Sequence, residues 1–272
     1  MSDATNEKRG YPHGVPCWID VEQSDARTGR EFYSALFGWD FIDAGPPGSA
    51  YAIARLQGKD VGGLEQVDSG AGWVSYVACD DIDATCTLIR SAGGTILVAP
   101  SHGEPGASAT CADPQGAVFR LWQAGTNPGA QIVNEPGAWN FSDLQTPDPD
   151  AALAFYGEIF GWRVDPQLGA GMIRLPGYGK HLSETVDPDI YERQQFAPEG
   201  FEDVICGLTE KPDAAASWLI RFTVADRDAT AASAEDLGAT VESTAETEWT
   251  REAVIVDPQG ARFVVSQLVM PD

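Results

Sequence analysis

The chain has 272 residues, 43% of them hydrophobic, enough apolar material for the cores of two ordinary domains or one large one. Its 41 acidic residues against 17 basic ones give a net charge of −24, a surface that repels phosphate backbones and anionic lipid, so nucleic-acid and membrane partners are excluded. No run approaches the roughly 18 to 20 apolar residues of a membrane helix, and the opening MSDATNEKRGYPHG lacks the apolar stretch of a secretory signal, so a cytoplasmic protein with a small-molecule partner is expected, as a monomer or homodimer.

In chain order, VPCWIDV reads as a strand, Ser24-Asp25 as a helix cap, and Ala26 to Phe37 as a helix with Phe32, Leu36 and Phe37 at helical spacing, stopped by Gly38. GWDFIDA, YAIARL and KDVGGLEQV follow as short strands between Gly and Pro turns. After Trp73 the pattern restarts, with strand VSYVAC, a cap at Asp81, helix DATCTLIRSAG, and strands around TILVAP, ASATCA and AVFRLW. The stretch QAGTNPGAQIVNEPGAWN reads as a linker. The five cysteines, Cys17, Cys79, Cys86, Cys111 and Cys206, form no CxxC pair and read as small buried hydrophobes, not as disulfides or a zinc site.

The order then repeats. FYSALFGWDF at Phe32 matches FYGEIFGWRV at Phe155, an offset of 123; WVSYVACDDIDAT at Trp73 matches WLIRFTVADRDAT at Trp218, an offset of 145; DPQGA at Asp113 recurs at Asp257, an offset of 144. The chain is a tandem duplication, with a net insertion of 22 residues (145 − 123) between Trp162 and Trp218. Domains are expected at 10–125 and 137–269, joined by 126–136, each holding two strand-helix-three-strand units. Within the insertion, Asp187 and Pro188 predict the cap and first residue of a short helix through Ile190–Arg193. With Tyr178, His181, Tyr191 and Phe201, that segment suits a lid over the second cavity, or packing over the sheet edge or between the domains.

These residues resemble the vicinal oxygen chelate superfamily of glyoxalase I, extradiol dioxygenases, fosfomycin-resistance and bleomycin-binding proteins. The resemblance rests on Asp25, Phe32-Tyr33, Phe37-Gly38-Trp39, Asp81-Ile82-Asp83-Ala84, Gly93-Gly94 and Asp113-Pro114-Gln115-Gly116 in the first copy. The second supplies Asp148, Phe155-Tyr156, Phe160-Gly161-Trp162, Asp226-Arg227-Asp228-Ala229, Gly238 and Asp257-Pro258-Gln259-Gly260. It extends to the tandem actinobacterial members that carry hydroxylase or glyoxalase-like labels. The resemblance implies an α+β fold of two tandem domains, each made of two βαβββ units in a curved, U-shaped mixed sheet with helices outside and the ligand on the concave face. The DPQG segments read as turns with no catalytic part.

Metal-dependent relatives carry ligands on the first, fifth and eighth strands. Counting from the capping Asp and the DPQG Asp places Trp18, Val74 and Arg120 there in the first copy, and Phe141, Leu219 and Val264 in the second. None offers the carboxylate, imidazole or thiolate that a divalent ion takes, and Glu65, near the position of a further ligand, is one carboxylate alone. His13, His102 and His181 stand in separate segments. No metal and no cofactor are expected.

Strand alternation then names the cavity neighbours. They are Trp18, Asp20, Glu22, Val74, Tyr76, Val118, Arg120 and Trp122 in the first copy, and Phe141, Asp143, Gln145, Leu219, Arg221, Thr223, Arg262, Val264 and Ser266 in the second. Two Trp and a Tyr suit a flat apolar molecule with a polar handle. Asp20 and Asp143 occupy matching places, each with an Arg expected on the same face. Each is either half of a structural ion pair or a general base or anchor, with Arg120 or Arg221 holding an anion. The expected function is metal-independent binding, and possible conversion, of an aromatic or polyketide-like molecule of secondary metabolism. Asp20, Tyr76, Arg120, Asp143 and Arg221 are the catalytic candidates, and Trp18, Glu22, Val118, Trp122, Phe141, Gln145, Thr223, Arg262, Tyr178 and His181 the ligand-binding ones. The alternatives are a drug- or metabolite-sequestering protein of the bleomycin-binding type, and an interaction protein with vestigial pockets.

Overall fold

Each strand-forming run is short, rich in β-branched or aromatic residues and bounded by Gly, Pro or Asp, whereas each principal helix follows an Asp that can cap it. A computed structural model describes residues 10–45, 50–169 and 171–269. The first copy runs β1 (Pro16–Gln23), α1 (Ala26–Phe37), β2 (Asp40–Ala44), β3 (Tyr51–Leu56), β4 (Lys59–Gln66), β5 (Gly72–Ala78), α2 (Ile82–Ser91), β6 (Thr95–His102), β7 (Gly106–Ala112) and β8 (Val118–Ala124). The second runs β9 (Trp139–Thr146), α3 (Pro149–Phe160), β10 (Arg163–Val164), β11 (Met172–Arg174), α4 (Tyr178–Thr185), α5 (Ile190–Arg193), β12 (Val204–Glu210), β13 (Ser217–Thr223), α6 (Arg227–Asp236), β14 (Thr240–Glu246), β15 (Thr250–Val256) and β16 (Arg262–Leu268).

Each copy gives one eight-stranded mixed sheet, ordered β2-β3-β4-β1-β5-β8-β7-β6 and β10-β11-β12-β9-β13-β16-β15-β14. The hairpins are antiparallel, while β1 runs parallel to β4, β5 to β8, β9 to β12 and β13 to β16. This is the α+β architecture expected from the sequence.

The caps form as the sequence predicts. Asp25, Asp81, Asp148 and Asp226 each accept from a backbone N–H of the first helical turn, and Gly38 and Gly161 close α1 and α3 in the left-handed conformation at φ 73° and 75°. The insertion departs from expectation. Helix α5 occupies the predicted residues, but Asp187 pairs with the Arg193 guanidinium, Asp189 holds the N-cap position, and Pro188 stays outside the helix. Helix α4 was not foreseen, because Gly177 leads it without a capping side chain of its own. Asp203 serves instead, its carboxylate accepting from Gly177 N at 3.1 Å and Gly179 N at 2.8 Å.

Contacts gather the chain into two compact units, and each draws on both copies. One holds the described residues up to Cys17, Tyr76–Gly129 and Asp143–Ser217; the other holds Trp18–Ser75, Ala130–Ser142 and the described residues from Trp218 onward. The repeated aromatic motifs explain this composition. In the second unit Phe37 meets Phe222 at 4.8 Å between ring centroids, Tyr33 meets Phe263 at 6.0 Å, and Trp39 Nε1 donates to Gly137 O at 2.8 Å. In the first, Tyr156 meets Phe119 at 5.7 Å, Trp162 stacks on Tyr156 at 4.7 Å, and Trp162 Nε1 donates to Gly14 O at 2.7 Å. Burying each such ring contributes on the order of 2 to 3 kcal/mol.

The DPQGA segments form the expected turns and also fasten these units. Asp257 Oδ1 accepts from Gln259 N and Ala261 N, while its Oδ2 accepts from Tyr33 Oη at 2.8 Å and Gln23 Nε2 at 2.9 Å. Gln259 reaches the start of α1, accepting from Asp25 N and Ser24 Oγ and donating to Asp25 O. Asp113 and Gln115 repeat the arrangement, Asp113 Oδ2 accepting from Tyr156 Oη at 3.2 Å and Gln115 bonding both Asp148 backbone groups. The turn of one copy thus holds the helix start of the other.

Candidate ligand-binding site

The unit that holds Trp18–Ser75 presents a buried carboxylate. The pleat turns Trp18, Asp20 and Glu22 to the face opposite Cys17, Ile19, Val21 and Gln23. Asp20 is fully buried, and its Oδ1 accepts from Trp18 Nε1 at 2.8 Å and Tyr51 Oη at 2.9 Å, with Trp18 Nε1 also 3.2 Å from Tyr51 Oη. Parallel pairing sets Gly63 of β4 beside Asp20, and a Cβ there would overlap both the carboxylate and the Tyr51 hydroxyl. Glycine at this point lets a carboxylate lie flat against the neighbouring strand.

The same unit carries part of the second-copy set. Arg221 Nη1 lies 2.5 Å from Glu252 Oε1, both side chains being largely buried, and Glu252 also accepts from Thr250 Oγ1 at 3.0 Å. Arg262 is half-exposed and pairs with Glu242 at 2.6 Å. Val74, Leu219, Val264 and Ser266 are buried, whereas Phe141 and Thr223 are half-buried.

In the other unit, β9 places Asp143 as β1 places Asp20. Asp143 is buried, Gly207 of β12 stands beside it, and a Cβ at Gly207 would overlap its carboxylate. Burial, reinforced by the Asp143 charge, pushes the adjacent Cys206 thiol well above its ordinary pKa. Across β5 and β8, Tyr76 is paired in register with Arg120, whose Nη1 donates to Tyr76 Oη at 2.7 Å while the guanidinium carbon sits 5.5 Å from the ring centroid.

The remaining first-unit candidates are dispersed. Trp122 donates to Asn127 O at 3.0 Å, Val118 is exposed at the head of β8, and Gln145 is half-buried. Tyr178 is buried with its ring parallel to that of His181, whose Nε2 lies 3.3 Å from Gly10 O. His13 Nε2 is 3.1 Å from Ile159 O, and His102 lies on exposed β6, 4.0 Å from Asp83. The structure therefore joins Trp18 to Asp20, and Tyr76 to Arg120. It adds Tyr51, Gly63, Glu252, Cys206 and Gly207, which sequence reading left out; a glycine in mid-strand was the available signal for two of them.

Residues 18–121 match the family model described as the glyoxalase/bleomycin resistance protein/dioxygenase superfamily, and residues 141–266 match that of the glyoxalase-like domain. CFP32 of Mycobacterium tuberculosis, which carries the name of a glyoxylase, is 32% identical over 94% of this chain and 95% of its own. The chain belongs to this superfamily. Another relative, the anthracycline biosynthesis protein DnrV of Streptomyces peucetius, is 30% identical over 95% of this chain and 94% of its own. Among solved superfamily structures, the Mn(II)-bound glyoxalase of Novosphingobium aromaticivorans superposes with a TM-score of 0.61 at 14% identity, covering 95% of this chain and 85% of that one. The 2,3-dioxygenase LapB of Pseudomonas sp. KL28 gives 0.60 at 15% identity, covering 96% of each. At such identities the likeness is one of fold.

Mn(II), which the name of the Novosphingobium glyoxalase records, does not fit the residues that counting along the sequence assigns to the superfamily's ligand positions. Trp18, Val74, Arg120, Phe141, Leu219 and Val264 present aromatic, aliphatic and cationic groups. Among the described residues, no three or more His, Cys, Asp or Glu side chains are grouped so as to hold an ion. No described helix is long and apolar enough to cross a membrane.

Proposed function

We propose that this superfamily member binds a small aromatic or polyketide-like molecule through side chains alone, without a metal held at the superfamily's ligand positions. The observation that carries the proposal is the paired design of Asp20 and Asp143: each is a buried carboxylate laid against a strand glycine, Gly63 or Gly207. A carboxylate so desolvated and oriented is suited to anchor a hydroxyl or amine, or to take a proton from one. Trp18 and Tyr51 fix the orientation of Asp20, and the same unit holds Arg221, steadied by Glu252, a cation suited to an enolate, phenolate or carboxylate. In the unit of Asp143 that role falls to Arg120, which donates to Tyr76 Oη. The duplicated segments, 10–125 and 137–269, each contribute to both compact units. The names of the anthracycline-biosynthesis relatives support the ligand class.

A second reading, sequestration without conversion, is favoured by the net charge of −24, which suits a cationic ligand. Elemental analysis of the purified protein, followed by thermal-shift screening of aromatic polyketides with and without chelator, tests the proposal. The expected result is substoichiometric metal and a ligand-induced rise in Tm that chelator leaves unchanged. Stoichiometric Mn, Fe, Ni or Zn whose removal abolishes binding refutes it. Recovery of the ligand unchanged selects sequestration, and recovery of a product selects an enzyme.

A further inference from the structure

We infer that a cleft at the ends of β5 and β8 is a separate binding site for a small organic ammonium ion carrying a single aromatic ring. The cleft has a volume of about 220 Å³ and is bordered by Tyr11, Cys79, Asp80, Trp122, Gln123 and Pro128 among others, all within one compact unit. That is below the roughly 300 to 1,000 Å³ of pockets for drug-sized ligands, so it admits one ring with a short arm. Of its lining residues only Asp80 is ionic, and it is exposed to solvent. Two aromatic side chains beside one carboxylate are the elements that recognise an ammonium group joined to a ring.

Comparison of the two copies separates wall from scaffold. Gln123 and Gln267 match, and both play the same structural part at a helix start. Gln123 Oε1 accepts from Ile82 N at 2.9 Å at the head of α2, and Gln267 Oε1 from Arg227 N at 3.0 Å at the head of α6. The wall does not match. By the offsets of the duplication, Asp80, Trp122 and Tyr11 correspond to Ala225, Ser266 and Asn134. The fold at this place therefore needs the glutamine, while the acid and both rings belong to the first copy alone. The aromatic wall is also held in place. Trp122 donates to Asn127 O at 3.0 Å and lies over Gly106, where a Cβ would fall 2.6 Å from the indole, and the Tyr11 ring lies against Gly129. Fixed rings lose little entropy when a ligand arrives. Cys79, whose thiol burial pushes up to about 12, is poorly suited to attack a ligand, so the site is one of reversible binding.

The test uses phenethylamine and its neutral analogue phenethyl alcohol, titrated into the full-length protein by calorimetry and ligand-observed NMR at low ionic strength. The amine is expected to bind saturably at one site, about tenfold more tightly than the alcohol, and to lose about tenfold in affinity in Asp80→Asn. Trp122→Leu is expected to lose binding while the circular dichroism spectrum stays native. Asp80→Asn is a surface change outside the Asp20 and Asp143 networks, so polyketide binding should persist in it, and the two proposals succeed or fail separately. Equal affinity for amine and alcohol, an unchanged affinity in Asp80→Asn, or no saturation up to about 10 mM overturns the inference.

Discussion

Asp257→Ala is the most severe test of how the units are fastened. The Asp257 carboxylate is buried, 4% exposed, and accepts four hydrogen bonds, from Gln259 N, Ala261 N, Gln23 Nε2 and Tyr33 Oη, all between 2.8 and 2.9 Å. Bonds to a charged acceptor are worth about 1.5 to 3 kcal/mol each, and donors left buried without a partner cost about 1 to 3 kcal/mol. The four share one acceptor and do not add, and water can enter the turn, so a loss of about 5 kcal/mol is expected. That is a large part of the roughly 5 to 15 kcal/mol that a folded domain has. Asp257→Asn should behave differently. The new amide keeps an oxygen for the two turn N–H groups, the Tyr33 hydroxyl can rotate to accept, and Gln23 can turn its amide. Gln23 Oε1 is buried and unpartnered among the described residues, so this rotation gives it a donor and moves the unmet group to Gln23 Nε2 without adding another, and the loss should be about 1 kcal/mol. Tyr33→Phe should fall between, at about 1.5 kcal/mol. Urea unfolding with a common m-value measures all three. An Asp257→Ala protein within about 1 kcal/mol of the parent would refute the fastening role.

Gly63→Ala and Gly207→Ala place a methyl group on the Asp20 and Asp143 carboxylates, and each should cost about 2 kcal/mol and abolish ligand-induced thermal shifts; calorimetric scans read the first effect and ligand titration the second. All five cysteines are buried and their thiols are pushed above the ordinary range, Cys79 to about 12, so Ellman's reagent should label none in the native protein at neutral pH and all five after denaturation. Burial pushes the Asp113 carboxyl above its ordinary pKa, against the opposing pull of the Ala117 and Gln115 N–H groups. The native state then binds that proton more tightly than the unfolded chain does, so this group's contribution to stability rises as pH falls through its folded pKa and levels off below the unfolded value of about 4. Asp113→Asn, which keeps an acceptor for the turn, should therefore be the more stable protein at pH 7 and lose that advantage by about pH 4, as paired unfolding curves would show.

Local signals carried most of the fold into the sequence. Asp25, Asp81, Asp148 and Asp226 mark helix starts because a carboxylate bonds nearby N–H groups, an interaction contained within four residues. Helix α4 was hidden because its N–H groups are served by Asp203, some 24 residues onward, and no local pattern encodes that. The candidate site divides in the same way. Trp18 and Asp20 were legible from strand alternation, but Tyr51 reaches Asp20 from β3 and Glu252 reaches Arg221 from β15, pairings set by sheet order. Gly63 and Gly207 looked like ordinary strand interruptions until each was found beside a buried carboxylate.

The reciprocity of the turn contacts bears on how the chain can be divided. Gln259 holds Asp25 as Gln115 holds Asp148, and Trp39 seeks Gly137 as Trp162 seeks Gly14, the matched exchange that two subunits make across an isologous interface. On the division read from the sequence, the segment 126–136 would be a tether that keeps two mutually dependent halves at high effective concentration. A protease site engineered there should yield fragments that co-elute after cleavage, whereas either half expressed alone would lack the turn that secures its first helix. Covalent continuity and structural independence are thus opposed in this protein, since each half is completed by the other.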